Sequence, residues 1–300
     1  MTFDVAQPFS LERRAQHWAA EFTAMASPCE VLIECELESE ARELASLAFA
    51  EAMRIERKFS RYRDDNVIFK INNAHGEPIS VDEETSKLLN YAAESFHLSE
   101  GLFDITSGLL RKAWKFDGQP ANPDKELIKK LLNRVGWEKV RFDGKQIRMR
   151  HGMEIDLGGL GKEYAVDRVA DTLFRNRQVP VMVNFGGDLR TIGHRAGSAP
   201  WTIGIEKPDE ENYSVGEIQL TDGAIATSGD ARRFCTYKGK RLGHILNPRT
   251  GWPVTNMPRS VTVIAEYCMA AGFLATLAML SGKGAEKFLD EQEVKYHCVR

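Results

Sequence analysis

The segment Ile155-Asp-Leu-Gly-Gly-Leu-Gly-Lys-Glu-Tyr-Ala-Val-Asp-Arg168 is the richest in groups that could hold an anion. Asp156 closes a predicted strand, three glycines follow within five residues, and a helix is predicted to start near Lys162. Glycines let the backbone come close to a ligand, and a helix N-terminus aims its free amides at negative charge. A phosphate-bearing ligand is one reading, and a plain strand-to-helix turn is the other. The spacing is neither a P-loop, which requires Ser or Thr after Gly-Lys, nor GxGxxG.

Three further segments end an apolar run in small polar residues. Val183-Asn-Phe-Gly-Gly-Asp188 and Ala224-Ile-Ala-Thr-Ser-Gly-Asp230 both finish on an aspartate, and His244-Ile-Leu-Asn-Pro-Arg-Thr-Gly251 sets a histidine before a Pro/Gly turn. Asp188 and Asp230 suit catalytic or supporting roles at strand ends, and equally backbone capping. The other six histidines show no metal-ligand spacing. Trp114, Trp137, Trp201 and Trp252 read as packing residues.

The elements that must position these groups follow from periodicity. Ala41, Leu44, Ala48, Ala52, Ile55 and Phe59 recur at three- and four-residue steps and predict a long helix over Glu38–Phe59. Other helices are expected near Leu11–Phe22, Glu83–Leu98, Ser107–Ala113, Lys125–Arg134, Lys162–Arg175, Met269–Leu280 and Gly284–Glu291. Strands are expected at Glu30–Glu36, Val181–Asn184, Leu189–Gly193, Trp201–Glu206, Gly216–Leu220 and Val261–Ala265. Val140–Phe142 and Gln146–Arg150 flank Asp143-Gly144, a hairpin signal. Strands follow one another as often as helices intervene, so the fold class is α+β. The cluster of Gly, Pro and Asn at Gly118–Asp124 marks a place where a boundary could fall. The expected organisation is an N-terminal helical extension, 1–22, and one domain over 23–300.

Composition narrows the classes of function. A net charge of −3 and 43% hydrophobic residues suit a globular enzyme and give no basic footprint for nucleic acid. No run reaches the length of a membrane span, and the beginning of the sequence lacks the apolar core of a secretory signal. The five cysteines are scattered, which suits reduced thiols in a cytoplasm.

Taken in order, the four segments resemble the FAD:protein FMN transferase (ApbE) family. The resemblance extends to Ala24–Cys29, Phe59–Asn72, Leu102–Leu110 and Ser260–Ala265, so that eight ordered motifs run from about Met25 to Gly282. It implies two intimately packed α/β halves around a central flavin-binding cleft, Mg²⁺ at the diphosphate of FAD, and transfer of FMN to a threonine of an acceptor flavoprotein with release of AMP. On matching positions it implies FAD contacts from Met25, Tyr62, Leu102, Phe103, Asp104, Asp156, Lys162 and Leu246. His244 and Asp230 are its catalytic candidates, His244 as an orienting group. The metal would take Gly159, Ala275, Thr276 and the side chain at position 272.

Two positions depart from the family pattern. Gly272 stands where the metal-binding aspartate is expected, and Glu163 follows Lys162 where glycine is usual. One reading is that Glu163 reaches the same metal and compensates for the lost carboxylate. Others are hydrolysis of FAD to FMN and AMP, or a flavin-binding relative that has lost its metal and turns nothing over.

Overall fold

The computed structural model describes residues 8–207, 210–231 and 233–300. Along the chain come β1 (Ser10–Arg14), β2 (His17–Ala24), β3 (Ser27–Ile33), α1 (Glu38–Phe59), α2 (Val67–Asn72), β4 (Ile79–Ser80), α3 (Glu83–Leu98), α4 (Lys125–Leu132), β5 (Arg141–Phe142), β6 (Gln146–Arg148) and α5 (Gly161–Arg177). Then follow β7 (Val181–Phe185), β8 (Asp188–Ile192), β9 (Trp201–Lys207), β10 (Glu210–Leu220), β11 (Gly223–Gly229), β12 (Phe234–Tyr237), β13 (Lys240–Gly243), β14 (Ser260–Ala265), α6 (Cys268–Leu280), α7 (Ala285–Glu291) and β15 (Lys295–Val299). This mixture of mostly antiparallel strands and helices is α+β. The chain weaves between two compact units. The first takes the described part of 1–57 with Leu160–Thr227 and Val263–Gly272, and the second takes the rest. The stretch Gly118–Asp124 is therefore not a boundary. It lies inside the second unit, where the Gly118 and Ala121 amides donate to the Phe234 and Thr236 carbonyls at 2.8 and 2.7 Å.

In the first unit β1, β2, β3, β7, β8 and β11 lie side by side in that order, and β14 follows β11. The expected helix over Leu11–Phe22 is instead the β1–β2 hairpin, paired from Ser10↔Glu21 to Arg14↔His17. Residues 1–7 of the expected N-terminal extension lie outside the described residues. The reason for the hairpin is visible in β2: Ala20, Phe22 and Ala24 are buried while Glu21 and Thr23 are exposed, a period of two that only a strand can satisfy. The β2–β3 and β7–β8 hairpins turn on Met25-Ala26 and Gly186-Gly187, all four at positive φ, as tight two-residue hairpin turns of type I′ require. Leu32, Met182, Leu189, Trp201, Leu220 and Ile225 form one apolar cluster on this sheet. The six residues predicted as the apolar face of α1 are all buried.

The second unit holds α2, α3, α4, α7, a small sheet in the order β4-β6-β5, and the β12–β13 hairpin. The predicted turn at Asp143-Gly144 joins β5 to β6, with Asp143 accepting from the Lys145 and Gln146 amides. The helix expected over Ser107–Ala113 is a 3₁₀ segment, Ile105–Lys112. Its Leu109 and Leu110 pack on Leu131 and Val135, while Trp114 packs with Ile128, Cys235 and Trp252.

Candidate active site

In the first unit the site is built where α5 begins. Its 17 residues open at Gly161, and Leu160 before it supplies no side-chain cap. Lys162, in the first turn, makes an ion pair with Asp188, the first residue of β8. Asp188 also accepts from the Thr227 amide at 3.0 Å. Burial pulls the Lys162 ammonium down, but Asp188 and then Glu163 outweigh it and leave its pKa raised. The Gly186-Gly187 turn lies alongside: a Cβ on Gly186 would stand 2.9 Å from Ser27 Oγ and 4.0 Å from Lys162 Nζ. Met25, in the neighbouring hairpin turn, has φ +51° and its amide donates to Glu56 at 3.0 Å.

One face of α5 sets the rest. Asp167 accepts from the Cys268 and Met269 amides at 2.9 and 3.0 Å and so caps the N-terminus of α6. One turn earlier, Glu163 lies against Gly272, one turn into α6. A Cβ on Gly272 would meet Glu163 Cγ at 2.7 Å and Oε1 at 3.2 Å. Glu163 is only 9% exposed, and its Oε2 has no hydrogen-bond partner among the described residues. Burial, with Asp188 close by, pushes its carboxyl up to about 8. The Cys268 thiol is buried beside the same acids and is raised well above its usual range. Position 272 thus has no side chain to offer a metal, and the carboxylate in that space belongs to Glu163.

In the second unit Asp156 ties the glycine loop down. It accepts from the Gly158 amide at 2.9 Å, pairs with Arg61, and its own amide donates to the Ile105 carbonyl at 2.8 Å. The Arg61 guanidinium also lies 4.8 Å above the Tyr62 ring and donates to its hydroxyl at 2.7 Å. Tyr62 is 82% exposed, so its ring faces solvent rather than being half-buried. Arg61 was not singled out in the sequence, although it stands inside the Phe59–Asn72 motif.

Phe103 is buried against Phe273, with ring centroids 5.3 Å apart, and a Cβ on Gly159 would lie 3.8 Å from it. Asp104 is committed locally: it accepts from the Thr106 amide and hydroxyl at 2.8 and 2.7 Å and from the Trp137 amide at 3.3 Å. The Leu102 amide donates to the Ser99 carbonyl at 3.0 Å. The carbonyl of Ala275 and the hydroxyl of Thr276 follow Gly272 on α6, with Ala275 buried.

His244 follows β13, and its amide donates to the Arg233 carbonyl at 3.1 Å. Its Nδ1 has no partner among the described residues, and burial, with Arg233 nearby, lowers its pKa to about 4. Asp230 does not present a free carboxylate. It is buried and held by Arg259 at 2.5 Å and Arg241 at 3.7 Å. A Cβ on Gly243 would lie 2.7 Å from Asp230 Cβ, so Asp230 packs against the residue preceding His244. Leu246 joins the cluster around Leu109 and Leu110.

This arrangement has counterparts among known proteins. The model of the ApbE family matches residues 25–299. An FAD:protein FMN transferase of Vibrio cholerae serotype O1 is 36% identical over 233 residues, covering 75% of this chain and 70% of the relative. One from Klebsiella pneumoniae is 32% identical over 251 residues, with coverage of 81% and 77%. Among solved structures, the ApbE protein of Thermotoga maritima superposes with a TM-score of 0.85 at 32% identity, covering 94% of both chains. The flavin transferase ApbE of Vibrio cholerae gives 0.81 at 27% identity, covering 97% of this chain and 94% of the other. With nearly its whole length matched in sequence and in fold, the chain belongs to the ApbE family.

Proposed function

We propose that the protein is an FAD:protein FMN transferase: it moves the FMN moiety of FAD onto a threonine hydroxyl of an acceptor flavoprotein. The threonine oxygen bonds to the phosphorus on the riboflavin side and gives up its proton to solvent, while the P–O–P link breaks and AMP leaves with the bridging oxygen on its phosphate. The observation that carries this reading is the uncapped N-terminus of α5, reached through a glycine loop and bearing Lys162 in its first turn. It is a cradle for a diphosphate.

Phosphoryl transfer depends mostly on positioning and charge stabilisation. Lys162 offsets phosphate charge, with Asp188 holding its ammonium in place. Tyr62, backed by Arg61, offers an aromatic face to a flavin or adenine ring. Met25, the Leu102–Asp104 segment, Asp156 and Leu246 complete the FAD contacts. Asp104 contributes through its backbone, because its carboxylate is already engaged. His244 is the group that orients the acceptor hydroxyl, and Asp230 positions it by way of Gly243.

The candidates to hold Mg²⁺ are the Gly159 and Ala275 carbonyls and the Thr276 hydroxyl, hard oxygens of the kind that ion prefers. When bound, it supplies neutralisation of the phosphate oxygens. The five cysteines are all free thiols, which supports a reducing compartment and an acceptor in the cytoplasm.

The test is to incubate the protein with FAD, Mg²⁺ and an acceptor domain, and to look for covalent flavin fluorescence on the denatured acceptor. Labelling that is lost when the acceptor threonine is replaced by alanine is the expected result. Gly272 favours a second reading, a flavin-binding relative without chemistry. Under that reading FAD would be recovered intact and the acceptor unlabelled.

A further inference from the structure

We propose that Glu163, through Oε2, is a ligand of the divalent cation that accompanies the diphosphate, and that position 272 is glycine because Glu163 occupies its side-chain space. The inference rests on the transferase reading for the identity of the diphosphate, and on three observations of its own. Glu163 is 91% buried, by its 9% exposure, yet Oε2 lacks any hydrogen-bond partner among the described residues. A buried carboxyl oxygen with no partner carries a desolvation cost, and a cation in contact with it would remove that cost. Lys162, the neighbouring cation, is already paired with Asp188. Glu163 also stands in the first turn of α5, the end of a helix that favours an anionic ligand, and its carboxyl oxygen is the kind of hard donor a divalent cation would take there.

The position of Glu163 is fixed rather than incidental. Asp167 caps α6 at Cys268 and Met269, which brings Gly272 level with Glu163 one turn away on both helices. With Glu163 Cγ 2.7 Å from the site of a Cβ at 272, the two side chains compete for one space. A carboxylate can enter it from either helix, but not from both.

The test is Mn²⁺ binding, followed by the electron paramagnetic resonance of free Mn²⁺, with ADP supplying a diphosphate. Glu163→Gln keeps the shape of the side chain, so its packing against Gly272 is retained. It should loosen Mn²⁺ by at least about tenfold, the lower end of what even indirect ligand supports cost. Gly272→Ala should displace Glu163 and loosen Mn²⁺ as well. Glu163→Gly combined with Gly272→Asp, which delivers the carboxylate from the other helix, should recover most of the affinity. Mn²⁺ bound by Glu163→Gln as tightly as by the wild type would overturn the inference, as would a wild type that binds no Mn²⁺. Neither result bears on transfer itself, which is followed separately as AMP released from FAD.

Discussion

Lys162 and Asp188 form an ion pair in which the acid is almost wholly enclosed, its side chain 3% exposed against 25% for the lysine. The position of the lysine is therefore set by the fold itself. Asp188→Asn would leave the ammonium partly buried without its partner. The expected loss of stability is about 2 kcal/mol, between the values for exposed and fully buried pairs. Urea unfolding of the two proteins measures it, and replacing both residues by apolar ones should cost less than the single change.

Tyr62 and Arg61 give a different expectation. The Tyr62 ring is exposed and touched mainly by the guanidinium, so Tyr62→Ala should alter stability by no more than about 0.5 kcal/mol. FAD affinity should fall by about 1–2 kcal/mol, roughly five- to thirtyfold, as for other aromatic stacking platforms. Equilibrium titration of FAD together with thermal melting separates the two effects.

The pH dependence of stability carries the signature of His244. Its pKa is about 4 in the fold against an ordinary 6.5. Above the ordinary value the ring is neutral in both states, so the contribution to stability is complete. As pH falls from there toward 4, the unfolded chain takes up a proton that the folded chain refuses. Stability therefore declines across that window, by up to about 3 kcal/mol. His244→Asn should flatten this part of the curve, which denaturant melts at several pH values would show.

Asp230 should behave as a positioning residue. Asp230→Asn removes charge from the Arg259 and Arg241 contacts while keeping the volume against Gly243. We expect kcat to fall by about ten- to a hundredfold through displacement of His244, with KM for FAD nearly unchanged. A change confined to KM would place Asp230 in FAD binding instead.

The parts of this fold legible in the sequence were those whose pattern is long and locally capped. Helices α1 and α3 occupy Glu38–Phe59 and Glu83–Leu98 as their periodicity predicts, and α3 carries Asp82 as an N-cap to the Thr85 amide. The N-terminal hairpin was not legible, because its turn at Ala15-Gln16 has no Gly, Asn or Pro, although Ala15 sits at φ +42°. The hairpin is held by the sheet that β2 shares with β3, a partner no local window contains. The same holds at the site. Loop glycines, Lys162 and His244 stood out by type and spacing. The contact of Glu163 with Gly272 depends on the Asp167 cap between two helices far apart in sequence, and the engagement of Asp104 by Thr106 and Trp137 was likewise hidden.

The central claim is tested most directly by measuring AMP released from FAD, with and without Mg²⁺, in the presence of a flavinylatable acceptor domain. The account predicts metal-dependent AMP matched one for one by covalently labelled acceptor. FAD that binds tightly but is recovered intact, with no AMP in either condition, would contradict it.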